Sequence, residues 1–277
     1  MAGSAIPSTR QREGSAWWRA LFRRWRPAHA SDIPEGLWRQ VIEQYPFLAW
    51  RTDEDLHKLR HLSAVFLSRK EFHGAQGFPV TDPMALAVAA QACLPVLQLG
   101  LKPYEGFVGI VMHEGPVRAQ RETTDAFGLV HTWQEELVGE ATGDGPVMLS
   151  WTEGAAGPEG CGGPAFNVVI HEFVHVLDGL DGTIDGTPPL SAEQRMRWQR
   201  TMQEAFDRFD ERSACGYPSI LDHYGAQDLV EFFAVSSEAF FTKPWAFREE
   251  QPDLYRLYAQ FYRQEPAAHP MPEPLRA

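Results

Sequence analysis

The residues of this chain best suited to chemistry are His171, Glu172 and His175, a His-Glu-x-x-His pattern set in the apolar run from Phe166 to Asp178. If the run is helical, residues four apart lie about 40° from each other around the axis and roughly 6 Å along it. Two imidazoles so placed can grip one zinc ion. Glu172, about 100° round from His171, is free to act on a metal-associated water rather than on the metal. Val168, Val169, Ile170, Phe173, Val174, Val176 and Leu177 flank the three polar residues. Burying ionisable groups among them is costly unless something compensates their charge, and a divalent cation would. The competing reading is a surface Glu-His pair, or two core histidines bonded to carbonyls. Surface histidines would not need such apolar flanks.

A catalytic zinc commonly takes three protein ligands and leaves a fourth position to water. The third must come from elsewhere in the chain. Tyr224 to Phe241 reads as a second amphipathic helix, with Glu231 and Glu238 in an aromatic setting. Seven residues apart, these carboxylates share a face but stand roughly 10 Å apart, so they cannot both bind one ion. Asp228 reads as an N-cap with Glu231 at the third helical position, a capping-box arrangement that competes with a ligand role. Glu238 reads equally as a carboxylate that orients a ligand histidine. Spacing alone leaves the choice open.

The run from His171 to Gly182, followed by Tyr224, Glu231-Phe-Phe-Ala-Val and Glu238 with Phe240 and Phe241, resembles the Mlc titration factor A family of zinc metallopeptidases. Gln91 to Leu101, Gly145 to Trp151 and Phe261 to Pro266 extend the likeness, which spans about residues 35 to 266. The resemblance implies that His171, His175 and Glu231 hold one zinc per chain and that Glu172 is the base. It also places Tyr224 beside the metal and leaves Glu238 as a residue behind the ligands. The Tyr-x6-Glu spacing is similar, more distantly, to that of the anthrax lethal factor catalytic domain. The activity implied is aminopeptidase-type cleavage of small peptides. A regulatory role is implied as well, since the name-giving member binds a transcriptional repressor of glucose-uptake genes. A hydrolase acting on a non-peptide amide would use the same site.

In such a site zinc lowers the pKa of its water and polarises the scissile carbonyl. Glu172 takes the proton and returns it to the leaving amine. Tyr224, on the resemblance, donates a hydrogen bond to the oxyanion. Asp178, one turn beyond His175, reads as an orienting group for a ligand histidine or as a turn residue. Gly179 suits a helix C-terminal cap, and the Asp-Gly pairs at 181–182 and 185–186 suit turns rather than a calcium loop.

The elements that must position these residues fit an α+β, zincin-like layout: helices, a small mixed sheet, then the HExxH helix and further helices. Pro34–Trp50 and Asp53–Lys70 are expected as helices, with Asp53 as an N-cap. Asp82 opens a buried helix with Pro83 at its first position. Glu71–Val80 is a loop or short strand. Phe107–His113, Gly128–Trp133 and Val147–Trp151 are expected strands, the last either a candidate edge for a substrate strand or an interior strand. His113 and His131 fall in strands without a partner at metal spacing and read as structural. Residues 152–164, rich in Gly and Pro, form a loop beside the cleft. Ala192–Arg212 and Leu254–Gln264 complete the helices.

The chain has 277 residues, 44% of them hydrophobic, enough for a full core. One metallopeptidase domain is expected over residues 31–277, as a single unit or as two packed lobes near 31–150 and 151–277. Residues 1–30 carry six arginines against one acid, +5, so that the remainder carries −17 for the whole to reach −12. The acidic body argues against nucleic-acid binding. Trp17, Trp18, Leu21, Phe22 and Trp25 share a stripe that would contact a membrane surface, a partner or the protein's own body. Cys93, Cys161 and Cys215 are odd in number and widely spaced, which fits a reducing cytoplasm rather than a disulfide framework. No transmembrane run or secretory signal is expected.

Overall fold

The computed structural model describes residues 29–115, 117–124, 130–137, 139–141, 145–151 and 165–269, with the strands between 117 and 141 described by their backbone. The basic segment 1–28, the 152–164 loop with Cys161, and the side chain of His131 lie outside the described residues. In chain order the helices are α1 (Glu35–Gln44), α2 (Asp53–Arg69), α3 (Asp82–Cys93), α4 (Val168–Asp178), α5 (Ala192–Ala214), α6 (Leu229–Thr242), α7 (Pro244–Glu250) and α8 (Pro252–Tyr262). The strands are β1 (Glu71–Gly74), β2 (Gly109–His113), β3 (Val117–Thr124), β4 (Val130–Leu137), β5 (Gly139–Ala141) and β6 (Val147–Ser150).

Four strands make one mixed sheet in the order β1-β2-β6-β5. β1, β2 and β6 run parallel, and β5 pairs antiparallel to β6. β3 and β4 form a separate antiparallel pair, in register from Val117↔Leu137 to Thr124↔Val130. Of the two readings of the last expected strand, edge or interior, the interior one holds. Val147–Ser150 lies inside the sheet, paired on both sides, and its Val147, Leu149 and Ser150 are buried. Among the described residues the edge on that side is β5, whose Gly-Glu-Ala letters carry little strand propensity and give no signal. β3 was missed for a similar reason, because its sequence is mostly polar.

Several helix limits also differ from expectation. Thr52, not Asp53, caps α2 by accepting from the Asp55 N–H at 3.1 Å. The expected first helix stops at Gln44, and the Tyr45-Pro46 step resumes as a 3-10 turn over Pro46–Ala49. A proline there cannot donate the helical hydrogen bond. α7 was not anticipated.

One continuous core runs from Ile33 to Ala267 and packs helices around the sheet. Phe173 of α4 lies about 200° round the helix from both His171 and His175. It packs among Tyr104, Phe66 and Phe107 with ring centroids 5.0, 5.7 and 5.9 Å away. That aromatic box fixes the back of the helix so that its histidine face has one orientation. α6 is buried from Phe232 to Thr242. Phe233 meets Trp198 of α5 at 5.2 Å, Phe240 meets Tyr262 of α8 at 5.5 Å, and Ser236 and Ser237 bond the hydroxyls of Tyr258 and Tyr262.

The turn after α4 ties three helices together. Gly179 ends α4 with φ −73, while the left-handed residue is Gly182, φ 90. Gly186, φ 77, sits so close to the start of α6 that a Cβ would lie 2.5 Å from the Leu229 carbonyl oxygen. Its N–H donates to Asp178 Oδ2 at 2.8 Å, and its carbonyl accepts from Trp198 Nε1 at 2.8 Å. α4, α5 and α6 are thereby held at one point. Among the described residues, no helix is long and apolar enough to cross a membrane.

Candidate metal centre

α4 starts at Asn167, whose side-chain oxygen accepts from the Ile170 N–H at 2.9 Å and so caps the helix. One and two turns on, His171 and His175 bring their Nε2 atoms to 3.0 Å from each other. α6 is capped by Asp228, which accepts from Val230 N and Glu231 N, both at 2.9 Å. The Glu231 carboxylate does not complete a capping box. It turns to the histidines instead, with Oε2 at 3.0 Å from His171 Nε2 and 3.6 Å from His175 Nε2. Among the described residues, these three make the one His/Cys/Asp/Glu group whose donor atoms converge as metal ligands would.

The chemistry of that donor set fits a zinc ion. Tetrahedral donors at about 2.0–2.1 Å from one centre stand about 3.3–3.4 Å apart, close to the three separations here. Two facing imidazole nitrogens and a carboxylate also need a shared positive charge, from a proton or from a metal that displaces it. Burial opposes a charge on His171, but hydrogen bonds to Glu231 and Glu238 outweigh it and hold the imidazole well above its ordinary value. Burial likewise works to raise Glu231, and its bonds to His171 and His175 bring it down to about 2.

Glu172 stands apart from this convergence. It is 4% exposed, and its Oε2 has no hydrogen-bond partner. Burial pushes its carboxyl up to about 7 against the pull of His171 and His175. A carboxylate that takes up a proton near neutrality, with one lone-pair site unsatisfied, is equipped to handle the proton of a nearby water.

Glu238, two turns beyond Glu231 along α6, is buried at 1% exposure. Its Oε1 lies 2.8 Å from His171 Nδ1, and its Oε2 accepts from the Asn167 N–H. Burial holds its pKa up, partly offset by those bonds. Tyr224 lies in the 3-10 turn His223–Ala226, is 37% exposed, and places its ring centroid 6.0 Å from that of His171. Asp178 does not bond a ligand histidine. One of its oxygens holds Gly186, the other has no partner, and burial lifts its pKa to about 6. The structure thus brings His171, His175 and Glu231 together, sets Glu172, Glu238 and Tyr224 around them, and assigns Asp178 to the turn. Sequence reasoning passed over Asn167, although an Asn immediately before an apolar helix is itself an N-cap signal.

Residues 18–263 match the family described as glucose-regulated metallo-peptidase M90. The chain belongs to that family. Similar members are called Mlc titration factor A. The one from Pectobacterium atrosepticum is 35% identical over 234 residues, covering 83% of this chain and 87% of that protein. Those from Klebsiella pneumoniae and Escherichia coli O7:K1 are each 32% identical, over 88% and 86% of this chain. Membership of M90 makes this a metallopeptidase family chain and implies a divalent metal. It also accords with the α+β arrangement of helices around a small sheet.

Proposed function

We propose that this protein is a zinc-dependent peptidase of aminopeptidase type, holding one zinc per chain on His171, His175 and Glu231. The observation that carries the reading is the convergence of those three donor atoms beside a buried carboxylate, Glu172, with an unpartnered oxygen. When bound, the metal supplies Lewis acidity at the scissile carbonyl and a water acidic enough to react near neutral pH. Glu172 accepts the proton of the attacking water and returns it to the departing amine. Tyr224, on an exposed turn at the rim, donates a hydrogen bond from its hydroxyl to the oxyanion. Glu238 keeps the His171 ring in place.

Substrate enters as an extended peptide against the outer edge of β5. Among the described residues, β5 is paired only with β6. Backbone pairing there would lay the peptide beside α4, which packs on β5 and β6. The aminopeptidase assignment rests on the family resemblance. Peptides with free and with acetylated N-termini distinguish it from internal cleavage. We place the protein in the cytoplasm, in keeping with the free Cys93 and Cys215. Residues 31–277 form the catalytic domain behind a separate basic N-terminal segment.

The test is a Glu172→Gln variant assayed on aminoacyl and peptide reporters, with and without a chelator. Wild type should cleave them and lose activity on chelation. The variant should keep its zinc and lose turnover by about 10²–10⁴-fold. Normal cleavage by the variant would refute the enzymatic reading.

A second reading draws on the relatives' name, which refers to titration of Mlc. In that reading the chain sequesters a transcriptional repressor. Repressor binding would then survive in Glu172→Gln, because the variant leaves the protein surface and the metal ligands intact.

A further inference from the structure

Behind His171 runs a buried chain of hydrogen bonds that ends on a helix of the first half of the protein. Glu238 of α6 meets His171 Nδ1 at 2.8 Å through one oxygen and takes the Asn167 N–H on the other. Asn167 Oδ1 accepts from Ile170 N at 2.9 Å, which fixes the amide orientation and leaves Nδ2 to donate. Its acceptor is Gln91 Oε1 of α3, at 2.7 Å. Gln91 in turn donates from Nε2 to the Ala87 carbonyl at 3.1 Å, which fixes its own amide. Gln91, Asn167 and Glu238 are 0%, 4% and 1% exposed, so water does not compete for these bonds.

Every donor and acceptor role in this chain is determined by its neighbours. Two backbone groups, Ala87 C=O and Ile170 N–H, set the two amides. The Asn167 backbone N–H then claims one Glu238 oxygen, leaving the other to accept from His171. A carboxylate facing Nδ1 keeps the proton there and frees the Nε2 lone pair.

We propose that Asn167 and Gln91 are positioning residues for the metal ligand His171, acting through Glu238 to fix its ring and its tautomer. Neither residue touches the ligand donor atoms. Asn167 has two duties: its side chain caps α4 and its backbone N–H anchors Glu238, so the start of the helix and the orientation of its first ligand meet at one residue, whose amide Gln91 holds in place. Gln91 ties both to α3. This inference rests on the zinc reading above and adds residues that the reading does not need.

The experiment is zinc affinity, measured by chelator competition on full-length Gln91→Leu, Gln91→Glu, Asn167→Asp and Glu238→Gln, alongside thermal unfolding of the same proteins free of metal. Glu238→Gln should weaken zinc binding by about 10–100-fold, as loss of a ligand's hydrogen-bond partner commonly does. Gln91→Leu should weaken it by about three- to tenfold, a smaller loss because it acts one residue further out. Gln91→Glu, kept protonated by burial, retains both an acceptor for Asn167 Nδ2 and a donor to the Ala87 carbonyl and should restore most of that affinity. Asn167→Asp, which keeps the cap but replaces the donor to Gln91, should behave like Gln91→Leu. Wild-type affinity in both Gln91→Leu and Asn167→Asp, with loss confined to Glu238→Gln, would overturn the proposal and leave the zinc site standing. A fall in unfolding temperature without a fall in affinity would overturn it in the same way, showing a structural role only. A wild type that binds no zinc would overturn this inference together with the reading beneath it.

Discussion

Two buried charged regions lie on opposite sides of α4, and they are finished differently. Lys70, 7% exposed at the end of α2, donates from Nζ to the carbonyls of Tyr104 and Phe107 and lies 3.6 Å from the Phe107 ring centroid. Those aromatics form part of the box around Phe173. On the histidine face, by contrast, Glu172 Oε2 and His175 Nδ1 are buried without hydrogen-bond partners. An unsatisfied buried polar atom costs about 1–3 kcal/mol, so a fold that needs only stability has reason to avoid it. The cation behind the helix is closed off by protein acceptors. The face in front leaves polar atoms unmatched by protein, as expected of the proposed site.

The largest effect is expected from removing a proposed ligand. Glu231→Ala or His175→Ala should lower zinc content to background and abolish turnover, read by metal analysis and peptide assay. Full zinc retention in Glu231→Ala would show that the converging donors are not ligands. Next in size is Tyr224→Phe, which keeps the ring beside His171 and deletes the hydroxyl. Its kcat should fall by about 10²–10³-fold at unchanged zinc affinity, as for loss of one oxyanion donor. An unchanged kcat would reduce Tyr224 to a rim residue.

Behind the helix the expected loss is of stability, not of activity. Lys70→Met leaves two carbonyls without their donor and should cost about 1–3 kcal/mol in chemical unfolding, with zinc content and turnover intact. Lys70 also gives a pH signature. Burial lowers its pKa to about 8, against about 10.4 in an unfolded chain. Between those values the unfolded chain holds a proton that the folded one has shed, so this group makes stability rise with pH across the window. Lys70→Met should lose that rise. The smallest effect is expected from Asp178→Asn, whose amide oxygen can still accept from Gly186. Stability should change by about 1 kcal/mol or less and zinc affinity not at all. A tenfold loss of affinity would instead show Asp178 acting on a ligand histidine.

The parts of the molecule readable from sequence were those with short-range rules. His171, Glu172 and His175 are related by helical spacing alone, and the apolar letters around them announce a buried helix. Asp228 announces a helix start. Glu231 was not decidable that way, because the same position serves a capping box or a metal, and only the approach of α6 to α4 turns its carboxylate toward the histidines. Gln91 and Asn167 are 76 residues apart in sequence and their bond is purely tertiary. β5 was missed because three residues with little strand preference are held in place by β6 rather than by their own propensity. Lys70 ends a helix like many surface lysines, and nothing local shows that two distant carbonyls await it.

The most direct measurement is X-ray absorption at the zinc edge of the purified wild-type chain, combined with metal stoichiometry. One zinc per chain is expected, bound by two imidazoles and oxygen donors, with no sulfur in its shell. Zinc absent from the protein, or bound through a cysteine thiolate, would contradict it.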